Sequence, residues 1–401
     1  MATFIDLSRD IEELAPRVIA LRRILHQHPE LAFEEVWTSA TLAEHMRSLG
    51  LAVEEGIGGT GVLAVLNGQQ PGRTLLVRAD IDGLPMDDAT GRGYASKLPN
   101  RNHACGHDAH SAIVAGVAEL LFRHRAYIAG RVAFVFQPAD EPMRGAKRMI
   151  DDGLLEHVRP DMALSLHVLP MANTGEVVIQ PGPLWASWDR RMLTLSGPPA
   201  SFDVARVAAR VTTALYDLLE RDGQSAEEAT FRVRSITAEQ RGLGKPSQAA
   251  VEVHLGRGQA SEGMIEVNLA LYDNDQRVRL LNRIDKVATT IVKDAGGILS
   301  SEVDYSLPAV VNDPRVTSAV ERAARQATDS TRIMTHWRNR FADDIGLFLA
   351  AVPGCLMLLG TANPAKGISE IWHRPGFDID EDAMSLGVHI ISLAALDLLR
   401  S

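Results

Sequence analysis

The chain is poor in cysteine, in positive charge and in long apolar runs. Its 401 residues include 2 cysteines, Cys105 and Cys355, too few and too far apart for a disulfide framework; such sparse usage fits a reducing compartment. Lys and Arg number 41 against 51 Asp and Glu, a formal net charge of −10. A net-acidic chain gains nothing from the phosphate attraction that drives nucleic-acid binding, so no DNA or RNA partner is expected. The apolar stretch IISLAALDLL near the end is interrupted well before the length needed to span a bilayer, and no membrane contact is expected either. At the start, MATFIDLSRDIEELAPRV carries acidic residues where an export signal carries a basic region followed by an apolar one, which makes a cytoplasmic location the expectation.

What is present is ordinary globular material. Hydrophobic residues at 46% and charged residues at 23% exclude collagen-like, coiled-coil and wholly disordered chains. The length suits two or three folded units. Apolar residues at helical spacing (Ile11, Leu14, Val18, Leu21, Leu25) predict a helix over 8–26. From 50 to 170, β-rich runs alternate with helical patterns, among them GVLAVLNG, TLLVRAD, DAHSAIVAGVAELLFRHR, RVAFVFQ, a helix over 146–155, and MALSLHV. Such alternation predicts an α/β fold with a mostly parallel sheet and helices on both faces. The pattern changes near Pro181 and Gly182. Residues 188–304 read as an inserted smaller α+β domain, with strands RRMLTLS, TFRVRS, AAVEVHLG, MIEVNLALYD and LSSEVDY and helices over 204–219 and 278–295. After Pro308 the α/β style returns, so residues 1–187 and 305–401 together form the other domain. The polar stretch TAEQRGLGKPSQ reads as a loop.

Three predicted strands run into residues that bind metals: Asp80 and Asp82 after TLLVRAD, Asp140 and Glu141 after RVAFVFQ, and His167 within MALSLHV. In open α/β sheets the carboxyl ends of strands line the ligand crevice, so distant positions converge there. Between them lies the densest cluster of the chain, His103-Ala-Cys105-Gly-His107-Asp108-Ala-His110. Cys105 and His107 are two apart, a spacing at which an extended segment projects both to one side. A purely structural reading also fits the segment, with Cys105 a small buried hydrophobe and Asp108 capping the next helix. Glu141 and His167 add a carboxylate and a second imidazole, which together with the thiolate make an inner sphere for Zn²⁺ or Mn²⁺. His373, in IWHRPGFDID, is a candidate to complete it. Cys355 opens an apolar strand and reads as core.

These residues resemble the metal-dependent amidohydrolases and peptidases that include hippurate hydrolase, N-acyl-amino-acid amidohydrolases and indole-acetyl-amino-acid hydrolases. The resemblance runs through LHQHPELAFEE (25–35), VRADIDGLPM (77–86), HACGHDAH (103–110), FQPADE (136–141), GAKRMIDDG (145–153), LHVLP (166–170), QPGPLWA (180–186) and WHRPGFDID (372–380). It implies a catalytic domain holding one or two divalent ions, with Cys105, His107, Glu141, His167 and His373 as ligands. It implies a lid domain that makes a homo-oligomer contact, Asp82 as the residue orienting a ligand imidazole, and Asp140 as the general base.

The chain departs from the family at several of these places. The base position carries Asp140 where the family has Glu. The segment LSGPPASFDVARV lacks the histidine that the family's lid supplies. The lid's Asn and Arg are not recognisable in RGQASEGM and NLALYD; His254 and Arg257 are the nearby substitutes. FADDIG (341–346) replaces a Gly-Ser-Glu-Asp-Phe stretch, with Asp343 and Asp344 at the acidic positions, and His336, Arg338 and Arg340 just upstream are candidates to hold a substrate anion. The expected activity is metal-dependent hydrolysis of a C–N bond in a small substrate, first an N-acyl amino acid or related amide. Two alternatives accompany it: deamination of an aromatic amine, as nitroanthranilate aminohydrolase performs, and a catalytically silent metal-binding module.

Overall fold

The computed structural model describes residues 6–198, 200–221, 229–236 and 262–400. The chain divides into two compact units, the first made of Met1–Leu184, Val311–Arg338 and Asp343–Ser401, the second of Trp185–Val310 and Asn339–Ala342.

The first unit is built on an eight-stranded sheet. Its opening strands are β1 (Ala52–Ile57), β2 (Gly61–Asn67), β3 (Gln70–Asp80), β4 (Ala129–Gln137) and β5 (Met162–Asn173). They lie in the order β1-β2-β4-β3-β5, followed by Gly354–Ala362, Val177–Val178 and Ile333–Met334. The middle of the sheet, β4-β3-β5 and Gly354–Ala362, is parallel. The flanking pairs β1-β2, β2-β4 and Gly354–Ala362 with Val177–Val178 are antiparallel, so the sheet as a whole is mixed. The parallel strands are continuous apolar runs because both of their faces are covered.

On one face, Leu75, Val77 and Ala79 of β3 join a large core with α1 (Ser8–His26), α2 (Val36–Ser48), α3 (His107–Arg123) and the helices Pro314–Ala327 and Asp382–Leu398. Alternate residues of β3, Leu76, Arg78 and Asp80, therefore point to the other face, where α4 (Gly145–Asp151) and Ile345–Ala351 pack on β4 and β5. The single helix read over 146–155 is two, α4 and Leu154–Val158, split at Gly153, whose φ of 86° ends one turn and starts the next. Sequence reading named neither α2 nor β1; β1 is mostly exposed and shows no alternation to find. Cys355 lies fully buried in the main core.

The second unit has a four-stranded antiparallel sheet, ordered Ile298–Leu307, Trp188–Ser196, Glu262–Leu271, Ala229–Ile236. Helices Val204–Arg221 and Asn274–Asp294 cover it, and Leu193, Leu195, Val211, Leu215, Ile265, Leu280 and Ile284 form its core. The strand read at AAVEVHLG, the loop TAEQRGLGKPSQ, and His254 and Arg257 lie outside the described residues. Among the described residues no helix is long and apolar enough to cross a membrane.

Candidate metal centre

Strand register sets up the convergence. Asp80 of β3 pairs with Gln137 of β4, and Arg78 with Ser165 of β5, so Asp80 and His167 lie level at the carboxyl end of the parallel strands. The chain then turns from β3 through Asp82 and from β4 through Asp140 and Glu141. α3 starts at His107 behind Gly106, whose φ of 94° is left-handed; a Cβ there would stand 2.5 Å from Val168 Cγ2. Glycine thus lets the cysteine-histidine turn sit against β5. Two residues beside the site, Ala139 at φ 49° and His373 at φ 60°, hold left-handed backbone without being glycine, a strain that persists only where the surroundings impose it. For Ala139 the imposing group is Glu35, fully buried, which accepts the Ala139 N–H at 2.9 Å.

Asp82 organises the centre. Its Oδ1 accepts from His107 Nδ1 at 3.1 Å and from the Asp140 N–H at 3.1 Å, and its Oδ2 accepts the Glu141 N–H at 3.0 Å. When this imidazole is neutral, with its Nδ1 proton directed at Asp82, the lone pair of His107 sits on Nε2. That atom is buried with no hydrogen-bond partner, as is Glu141 Oε1, and the two lie 3.9 Å apart. His373 Nε2 is 3.5 Å from Glu141 Oε2, and His167 Nε2 is 3.7 Å from Cys105 Sγ. His167 is turned this way because its Nδ1 donates to the Val168 carbonyl at 2.8 Å. Cys105, His107 and His167 bring one donor atom each within 4.8 Å of one another, and so do Cys105, Glu141 and His373. Donors about 2.0–2.3 Å from a common ion stand roughly 3–4 Å from each other. The separations of 3.5 and 3.7 Å within the two triplets, which share the Cys105 thiol, and of 3.9 Å between His107 and Glu141 fall in that range.

Burial and neighbouring charge shift every proposed inner ligand for which a shift is resolved. Burial, reinforced by the carboxylates of Asp82 and Asp140, pushes Glu141 up to about 8. Burial likewise pushes the Cys105 thiol well above its ordinary value, and the charge on Glu141 adds to this. Burial opposes a charged His107, yet Asp80 and Cys105 outweigh it and raise that imidazole well above its usual range. His167, by contrast, is held down to about 3 by burial, neutral and suited to ligation. Two unpartnered buried donors facing each other, beside a thiol and two more imidazoles, fit a divalent ion in chemistry and spacing.

The other histidines of the cluster do different work. His110 Nδ1 bonds Asp80 Oδ1 at 2.7 Å, and its Nε2 accepts the Val168 N–H at 2.9 Å. His103 is fully buried and pushed down to about 3 by that burial. Asp108 does not cap α3. It pairs with Arg22 Nε and His26 Nδ1, each at 2.7 Å. His336, Arg338 and Arg340 stand exposed rather than among the buried donors. Sequence reading missed Arg78, whose fully buried guanidinium meets Asp80, Asp140, Asp343 and Asp344. A charged residue inside an apolar strand run was the available signal. Burial would push Asp140 up, but Arg78 outweighs it and holds that carboxyl below its usual value; Asp343 is pushed up to about 8 by burial and by Asp140.

Residues 76–397 match the model of peptidase family M20/M25/M40. The chain belongs to this family. Among its M20/M25/M40 relatives, thermostable carboxypeptidase 2 of Saccharolobus solfataricus is 30% identical over 402 residues, covering 97% of both chains. An N-acyl-L-amino acid amidohydrolase of Geobacillus stearothermophilus is 30% identical over 348 residues, 84% of this chain and 90% of the relative. The crystal structure of Bacillus subtilis YXEP, described as a dinuclear metal-binding peptidase of family M20, superposes with a TM-score of 0.77 at 27% identity, covering 97% of this chain and 99% of the other. This M20/M25/M40 chain is a metal-dependent hydrolase of amide C–N bonds that uses a divalent cation.

Proposed function

We propose that this M20/M25/M40 hydrolase cleaves small N-acylated amino acids or related amides, with Cys105, His107, Glu141, His167 and His373 holding one or two ions of Mn²⁺ or Zn²⁺. The observation that carries the ligand set is the pair of buried, unpartnered donors His107 Nε2 and Glu141 Oε1, 3.9 Å apart. A bound divalent ion supplies Lewis acidity, making a water more acidic and polarising the amide carbonyl. Asp82 holds the His107 tautomer and the Asp140-Glu141 backbone in register. Asp140 takes the proton of the attacking water and returns it to the leaving nitrogen; its Oδ2 lies 3.8 Å from His107 Nε2, beside the donors. His336, Arg338 and Arg340 are proposed to hold the substrate's carboxylate. The second unit is proposed to make a homo-oligomer contact, and the protein to work in the cytoplasm on a small molecule, without nucleic-acid or membrane partners.

The relative from Geobacillus stearothermophilus, named for amide hydrolysis of N-acyl-L-amino acids, supports this substrate class over the aromatic-amine alternative. The test is turnover of a panel of N-benzoyl, N-acetyl and indole-acetyl amino acids with added Mn²⁺ or Zn²⁺, read as primary amine released, against aromatic amines read as ammonia. Amine release from the amides is expected. Ammonia release alone would replace the amide reading with the aminohydrolase one, and no release from either set would point to the silent module.

A further inference from the structure

Arg78 is the largest charged side chain buried on the face of β3 that points toward α4, and all of its side-chain nitrogens are engaged. Nε donates to Gln137 Oε1 at 2.9 Å and Nη1 to Asp80 Oδ2 at 2.7 Å. Nη2 faces three carboxylates: it donates to Asp140 Oδ1, to Asp344 Oδ1 at 3.1 Å, and lies 3.5 Å from Asp343 Oδ1. Gln137 in turn donates from Nε2 to Asp344 Oδ1 at 2.7 Å, so the amide and the guanidinium form one rigid frame. The planar fork has fixed donor directions, and a compact ammonium would not reach Asp80, Asp140 and Gln137 together.

The frame meets Asp140 where that residue has one freedom left. Its N–H is bonded to Asp82, and the residue before it is held left-handed by Glu35. The backbone is set, and rotation of the short side chain alone decides which oxygen faces the donors. Arg78 holds Oδ1, which leaves Oδ2 on the side of His107 Nε2, 3.8 Å away. We propose that Arg78 is a positioning residue for amide hydrolysis, fixing one oxygen of Asp140 so that the other faces the reacting water. The proposal rests on the reading that Asp140 is the base. None of the five proposed ligand residues is among the hydrogen-bond partners of Arg78, so its effect is on the rate and not on retention of the ion.

The experiment uses Arg78→Lys, Gln137→Met and Asp140→Asn, singly and as the two doubles with Asp140→Asn. Each is made in the full chain loaded with Mn²⁺ and assayed on the N-acyl amino acid turned over fastest. Gln137→Met removes the group that orients the guanidinium and leaves the charges in place, so it carries the test if Arg78→Lys does not fold. Arg78→Lys is expected to lower kcat on the order of 10²-fold, the scale of an ångström of misplacement, and Gln137→Met about tenfold. KM should stay within about threefold, with bound Mn²⁺ unchanged by elemental analysis. In the Asp140→Asn background both effects should vanish, the doubles being no slower than Asp140→Asn alone. Losses that multiply with that of Asp140→Asn, or folded, metal-loaded single variants with the parent's kcat, would overturn the role of Arg78 and leave the base in place. Full turnover in Asp140→Asn would overturn the base reading, and this proposal with it.

Discussion

Arg22 and Arg78 are both fully buried and both end among carboxylates, yet the two clusters differ in charge balance. Arg22 donates to Asp108 at 2.7 Å, Asp378 at 2.9 Å and Glu381 at 3.2 Å. Those acids have other cationic partners: Arg23 on Glu381, Arg92 on Asp378 and His26 on Asp108. Around Arg78, one guanidinium faces the carboxylates of Asp80, Asp140, Asp343 and Asp344; His110 adds a contact to Asp80 at 2.7 Å, while Asp343 and Asp344 both lean on the arginine. A balanced buried cluster ties elements together, here α1, α3 and the segment before Asp382–Leu398. An unbalanced one keeps some of its acids protonated: Asp343 is pushed up to about 8 by burial and by Asp140, and Asp344 well above its ordinary value by the same causes, and in this molecule that place adjoins the proposed metal ligands.

The difference can be broken first at Arg22. Arg22→Met leaves Asp108 short of its main cationic partner and should cost about 3–5 kcal/mol of stability, the scale for removing one member of a buried ion pair. Denaturant unfolding measures the loss, and kcat per folded, metal-loaded molecule should stay within about threefold. A comparable loss of kcat would make the Arg22 cluster part of the chemistry. The converse change, Asp140→Asn, should reduce kcat at least about 10²-fold, ~2.7 kcal/mol in the barrier, with bound metal retained.

Gly106→Ala probes the turn at the head of α3, whose His107 faces the proposed metal ligands and whose Asp108 faces Arg22. A Cβ 2.5 Å from Val168 Cγ2, on left-handed backbone, should cost about 1–3 kcal/mol and weaken metal retention as well. Thermal melts with and without added Mn²⁺ separate the two effects. The smallest effect concerns acid. Burial would raise the Asp88 carboxyl, but hydrogen bonds from His26, Thr90 and the Ser96 N–H outweigh it and bring it below its usual value. A depressed carboxyl contributes stability above its unfolded pKa of about 3.9 and loses it as pH falls further. The melting temperature should therefore drop between pH 5 and pH 3, less steeply in Asp88→Asn; equal slopes would remove Asp88 from the balance.

The parallel core and its helices were legible because both faces of the central strands are apolar and α1 keeps strict helical spacing. The proposed ligands were readable because Glu141 and His167 sit at the ends of strand-like runs and Cys105 and His107 stand two apart in the densest His/Cys/Asp cluster of the chain. The antiparallel flanks were not, since strand direction leaves no mark in the alternation of β2. Arg78 was hidden for a related reason. Its partners sit at positions 80, 137, 140, 343 and 344, and their encounter depends on register and on the turn at Ala139, which a linear pattern does not encode. Asp108 misled in the same way, because a helix-start acid looks alike whether it bonds its own backbone or an arginine 86 residues earlier.

The pairing of β5 with Gly354–Ala362 carries a kinetic consequence during synthesis. His167 leaves the ribosome well before its neighbouring strand exists, and 187 residues separate it from Gly354. At 5–20 residues per second that interval is roughly ten to forty seconds. Throughout it β5 has no partner on that side, and His373, the last of the proposed ligands along the chain, is still untranslated.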